Sequence, residues 1–147
     1  MTTVACDGYW MAADGLVTNG NELAIEFSDV KIIQLKDGSI LGRAGAYHAL
    51  ESLRSFLDGE TEEVESAGEW SALRLMPDGI GLYYCEHHPT LGTPASWPAT
   101  LGTGGELALG AMLAGATPEE AVVIAAQRDV TTGGKITVLT RIEEMKT

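Results

Sequence analysis

Positive charge is what this chain has least of: nine Lys and Arg stand against 21 Asp and Glu, a formal net charge of −12 over 147 residues. Nucleic acids and anionic membranes are held by clustered cations, so neither is an expected partner. Long apolar runs are missing too. No stretch approaches the roughly 20 residues of a membrane span, and the N-terminus lacks the basic-then-apolar layout of a signal peptide, so a cytoplasmic protein is expected. Cysteine is reduced to Cys6 and Cys85, each in a strand-like run where a small apolar residue would serve equally well; both read as free thiols. The adjacent His87 and His88 have no carboxylate or thiol at ligand spacing, and His48 stands beside Tyr47 in a helical stretch, so neither a metal nor a cofactor is expected.

What remains is 45% hydrophobic, enough for one compact domain with a real core over residues 1–147. Asp7-Gly8, Lys36-Asp37-Gly38 and Pro77-Asp78-Gly79 are turn signals between short apolar runs and predict three hairpins, hence largely antiparallel sheets. Ala46, Ala49, Leu50, Leu53 and Phe56 recur at helical spacing, with Gly59 as a stop. A second helix is expected through Leu107, Leu109, Met112 and Leu113. A third is expected from the capping box Thr117-Pro118-Glu119-Glu120. Ile136, Val138, Thr140 and Ile142 alternate as a closing strand. Residues 86–101 hold Pro89, Pro94 and Pro98 without clear period and read as a long loop. The acidic run Asp58, Glu60, Glu62, Glu63 and Glu65 reads as a solvated segment. By periodicity alone the class is α+β.

A threonine follows Met1. The small side chain of Thr2 permits methionine removal, which would place a hydroxyl nucleophile and a free α-amine on one residue. An α-amine titrates near 7.7 to 8.0, so close to neutral pH a useful fraction is neutral and can take the hydroxyl proton.

Behind Thr2 come Ala12-Ala13-Asp14-Gly15-Leu16-Val17-Thr18, Val30-Lys31-Ile32-Ile33-Gln34-Leu35 and Gly42-Arg43-Ala44-Gly45-Ala46. Further on stand Gly102-Thr103-Gly104-Gly105 and Arg128-Asp129-Val130-Thr131-Thr132-Gly133-Gly134. In this order and spacing the chain resembles the proteasome β-subunits and the bacterial HslV peptidase, the N-terminal-nucleophile threonine peptidases. Any one of these motifs alone would be commonplace; their agreement along most of the chain carries the resemblance.

The resemblance implies a four-layer αββα sandwich and a homo-oligomeric ring that encloses the active sites and takes peptide or unfolded protein as substrate. It also admits an ATPase unfoldase as partner. It implies Thr2 as nucleophile, Lys31 as the cation favouring the alkoxide, and Asp14 as the partner that holds Lys31. Gly45 would present its NH to the oxyanion, and Thr103, Asp129 and Thr132 would hold the terminal amine. Thr18 would pair with extended substrate through its backbone. Arg43 would lie at the base of the first specificity pocket, favouring acidic side chains unless Asp29, at another wall position, neutralises it.

One long helix of the family is missing between the first helix and the next strand. The expected helix over residues 46–57 then has Tyr47 and Leu57 turned toward the vacated side. A neighbouring subunit or the loop around Trp97 is expected to cover them. Two competing functions remain on the same fold: a small-molecule amidase and a catalytically inactive structural homologue.

Overall fold

The computed structural model describes residues 2–17, 25–28, 30–65 and 68–141, with the backbone path only for residues 17 and 25–28. The elements run β1 (Val4–Cys6), β2 (Trp10–Ala13), β3 (Leu16–Val17), β4 (Ile25–Ser28), β5 (Ile32–Gln34), β6 (Ile40–Gly45), α1 (Ala49–Leu57), β7 (Trp70–Leu75), β8 (Gly81–Cys85), β9 (His88–Ala95), β10 (Ala99–Leu101), α2 (Gly105–Leu113), α3 (Pro118–Ala126) and β11 (Thr137–Thr140). Two main antiparallel sheets result, one in the order β10-β1-β2-β11 and one in the order β5-β6-β7-β8-β9, beside the short β3-β4 ladder.

The three turn signals close the hairpins β1-β2, β5-β6 and β7-β8. Asp7, Asp37 and Asp78 each accept a backbone NH two residues on, at 2.8 to 3.0 Å, which is how an Asx turn replaces missing ladder bonds. The α3 capping box forms as its sequence predicts: Thr117 accepts from Glu120 NH, and the Glu120 carboxylate returns to Thr117 NH at 3.0 Å.

Strand alternation sorts the apolar residues into three groups. Val4, Cys6, Met11, Ile32, Ile40, Leu73 and Leu75 meet in a core drawn from both main sheets. Leu41, Trp70, Ala72 and Tyr84 point away from it and pack with Ala49, Leu50 and Leu53 of α1. Ala5 and Ala12 point away on the other side and meet Ala108 and Met112 of α2 with Ala121, Val122 and Ala125 of α3. Both faces of β1 are therefore covered, which is why Val4, Ala5 and Cys6 are all fully buried. Burial pushes the Cys6 thiol up to about 12, in keeping with a residue that acts as a small hydrophobe.

Two expectations need correction. Residues 86–101 are not a loop: β9 pairs with β8, and β10 pairs with β1. β9 is the edge of its sheet, where Pro89 and Pro94 forfeit no interior ladder bond; prolines that looked like loop punctuation mark an edge. Trp97 does not cover α1. It packs at the rim of the inter-sheet core and donates from Nε1 to the Gly79 carbonyl at 2.8 Å. Leu57 is instead covered within the chain, joining Phe56 and Val64 against the α1 core, while Tyr47 remains 58% exposed. Among the described residues between α1 and β7 there is no helix. The acidic run there is anchored by Arg54, which bonds Glu51, Asp58 and Glu60.

Because Leu53 is fully buried between α1 and its sheet, Leu53→Ala should lower unfolding free energy by about 2 to 5 kcal/mol. Urea denaturation followed by circular dichroism measures it, and a loss below about 1 kcal/mol would mean that α1 is not packed as described.

Candidate active site

Asp14 follows β2 and turns its carboxylate inward, with 1% of the residue exposed. Its Oδ1 accepts from the Lys31 ammonium and from the Thr3 backbone NH, both at 3.0 Å, and its Oδ2 accepts from Gly133 NH at 3.1 Å. Lys31, only 3% exposed, also donates to the Leu16 carbonyl at 2.6 Å. A buried ammonium is tolerated only when its charge and its protons are met, and here they are met by the carboxylate and a carbonyl. Through Asp14 the ammonium is tied to the backbone NH of Thr3, the residue that follows the 2% exposed Thr2.

A second cluster meets the threonine pair at the Thr3 hydroxyl. Thr103, in the turn between β10 and α2, and Thr132, in the loop after α3, donate to Asp129 Oδ2 at 2.6 and 2.7 Å. Thr131 donates its hydroxyl and its NH to Oδ1 at 2.8 and 3.1 Å. Burial raises the Asp129 carboxyl, but the hydrogen bonds from Thr103, Thr132 and Thr131 outweigh it and bring it down to about 2. Thr132 spends its one proton on Asp129, so in its 2.7 Å bond with Thr3 the Thr3 hydroxyl is the donor. Thr3 thus joins the two clusters, through its NH to Asp14 and its hydroxyl to Thr132.

The glycines beside the threonines are sterically required. A Cβ at Gly102 would strike the Thr2 carbonyl oxygen, and one at Gly104 would strike the Thr3 hydroxyl. Gly45 ends β6 at φ +95°, where a Cβ would run into the Glu69 carbonyl. The Gly45 carbonyl accepts from Arg43 Nη1 at 2.8 Å, and Arg43, 4% exposed, lies with its guanidinium 6.0 Å from the Tyr47 ring centre. Gly45 and Gly102 both border one cavity of about 340 Å³.

Of the residues singled out in the sequence, the structure gathers Asp14 and Lys31 at the Thr3 NH, and Thr103, Asp129 and Thr132 at the Thr3 hydroxyl; Gly45 and Arg43 stand at the end of β6. Thr18 and Asp29 lie outside the described residues. Thr3, Thr131 and Gly133 were not foreseen. The doublets Thr2-Thr3 and Thr131-Thr132 were the available signal, since neighbouring hydroxyls can serve two separate partners. Among the described residues no group of three or more His, Cys, Asp or Glu is placed to hold a metal ion, and no helix is long and apolar enough to cross a membrane.

This arrangement of sheets and helices is the fold of the HslV and proteasome class of peptidases. The eukaryotic HslV of Trypanosoma brucei superposes with a TM-score of 0.65 at 20% identity, over 95% of this chain and 98% of that one. BPH of Thiobacillus denitrificans in complex with epoxomicin superposes at 0.64 and 20% identity, over 95% and 99%. A second structure of Thiobacillus denitrificans BPH superposes at 0.61 and 18%, over 96% and 98%. No protein-family model and no curated protein matches the sequence.

The Asp129 network has a measurable consequence in acid. Its folded-state carboxyl, about 2, lies below the roughly 3.9 of an unfolded aspartate. The stabilisation is therefore fully present above about pH 4 and is lost as pH falls toward about 2. Asp129→Asn should lower stability at neutral pH and flatten the fall between about pH 4 and 2. An unchanged acid limb, read from denaturation midpoints across that range, would contradict the network.

Proposed function

We propose that the chain is a threonine-type peptidase in which Thr2, freed by removal of Met1, is the nucleophile. The observation that carries this reading is the buried Lys31–Asp14 pair, 3.0 Å apart and tied to the Thr3 NH, on a fold shared with HslV. An ion pair of this burial is a poor device for stability alone, because apolar residues of similar volume are often as stable or more so. Its persistence beside Thr2 points to chemistry and argues against the inactive homologue.

In the proposed reaction the Thr2 α-amine, directly or through a water, takes the hydroxyl proton while Oγ1 adds to the substrate carbonyl carbon. The Lys31 charge favours the developing alkoxide, and the Gly45 NH receives the carbonyl oxygen as it becomes an oxyanion. The C–N bond breaks, the amine leaves with the proton, and water hydrolyses the remaining ester, restoring Thr2. Asp129 with Thr103 and Thr132 would fix the α-amine. Thr18 would pair with the substrate backbone, and Arg43 with Asp29 would shape the first specificity pocket.

The three cores are what a four-layer αββα order in one domain would require, and we take that order as part of the reading. Homo-oligomeric closure into a ring, a cytoplasmic setting and delivery of unfolded protein by an ATPase belong to the same proposal. The fold shared with HslV supports them, and the exposed Tyr47 supports the oligomer in particular. A small-molecule amidase would share every catalytic residue and is distinguished by failing on peptides of several residues.

Thr2→Ala should remove peptide hydrolysis by at least ~10³-fold, because a nucleophile's loss disables the site as a unit. Lys31→Arg should fail nearly as completely, the guanidinium being too broad for the pocket that holds the ammonium. Both are read with fluorogenic peptides on protein whose mass shows loss of one methionine. Retained turnover in either variant would remove that residue from the mechanism. Light scattering at micromolar concentration tests the ring, and a strictly monomeric species of 15.5 kDa would refute it.

A further inference from the structure

We propose that the cavity bordered by Gly45 and Gly102 is the pocket for the residue on the leaving-amine side of the cut bond, and that Glu86, assisted by Glu69, selects a cationic side chain there. The proposal rests on the peptidase reading above.

Position comes first. The cavity, about 340 Å³, is bordered by Gly45, Glu69, Tyr83, Cys85, Glu86 and Gly102. That volume is at the lower end of the roughly 300 to 1,000 Å³ of small-molecule pockets. Gly45 is the residue assigned to the oxyanion and Gly102 packs on the Thr2 backbone carbonyl, so the cavity runs between the oxyanion glycine and the strand that carries Thr2.

Side follows from strand alternation. Leu41 of β6 packs into the α1 core, and Arg43, two residues on, shares its face near Tyr47. Tyr83 and Cys85 alternate with Leu82 and Tyr84, which pack toward α1, so they lie on the opposite face of the same sheet. Ala44, Ser71, Tyr83 and Cys85 line the cavity from that opposite face and Trp70 borders its edge; with the acyl-side residue on the Arg43 face, a chain running past Gly45 delivers its leaving-side residue to this cavity.

Chemistry is set by Glu86. Its Oε2 accepts from the Trp70 NH at 2.7 Å, and Trp70 is the cross-strand partner of Gly45. The carboxylate is thereby fixed one strand's width from the oxyanion position. The same backbone bond, foremost among the causes, keeps its carboxyl below the usual range, so it is charged at neutral pH. Its other oxygen is 3.5 Å from His87 Nε2. Glu69 adds a second carboxylate, and no Lys or Arg borders the cavity.

The test uses full-length protein with Met1 removed and internally quenched peptides that differ only in Lys, Ala or Glu directly after the cut. A second readout is acyl transfer: an added amine attacks the Thr2 ester in place of water, forming C–N as C–O breaks and returning the proton to Thr2, with lysinamide and glutamic acid amide compared as acceptors. Wild type should favour Lys over Glu by about fivefold or more in kcat/KM and in transfer yield, the scale of one partly exposed ion pair. Glu86→Gln keeps an acceptor for the Trp70 NH while removing the charge, and should erase most of that ratio; Glu69→Gln should reduce it less. Equal cleavage of the Lys and Glu peptides by wild type, or a ratio unmoved in Glu86→Gln, overturns the pocket while the peptidase reading stands. Failure to cleave any peptide overturns both.

Discussion

The rest of the site is arranged around a single carboxylate. Asp14 sits where three stretches distant in sequence converge: the first strand through Thr3, the edge of the second sheet through Lys31, and the loop after α3 through Gly133. Removing Lys31 would leave that carboxylate buried without its counter-charge, a change that typically costs about 3 to 5 kcal/mol. Lys31 is thus under a structural constraint, and the chemical role proposed for it would act on the same 3.0 Å contact.

The opposite flank works by a different economy. Asp129 is only partly buried and meets no cation among its hydrogen bonds; hydroxyls and one NH gather its charge instead. Hydroxyls can reorient without moving heavy atoms, so this cluster can follow a change of protonation nearby, whereas the ion pair across the threonines cannot. A fixed charge and an adaptable dipole network would together suit the terminal amine that the proposed reaction requires.

Local chemistry made much of the fold legible in the sequence. Asp-Gly turns fix hairpins within a few residues, and the Thr117 box and the spacing of Leu50 and Leu53 define helices without reference to the rest of the chain. β9 was hidden because Pro89 and Pro94 are tolerated only by virtue of its edge position, a fact about sheet order that no local window contains. The burial of Leu57 by Val64 was hidden for a similar reason, since it depends on the path of the acidic segment. At the site, Lys31 could be picked out because charge is costly inside an apolar strand pattern, and Asp14 because its place in the motif order resembles that of the threonine peptidases. Thr3 could not, because its importance comes from standing between two clusters that only the folded chain brings together.

Gly45 illustrates how little a conserved-looking motif residue need say about activity. The collision of any side chain there with the Glu69 carbonyl is a matter of strand geometry, independent of whether a substrate ever arrives. A relative that had lost its nucleophile would keep this glycine for as long as it kept β6 and β7 together. In sorting live from lapsed members of this fold, Gly45 therefore carries almost no weight. The diagnostic feature is the Lys31–Asp14 pair taken together, which apolar residues of similar volume could replace at little or no cost to folding.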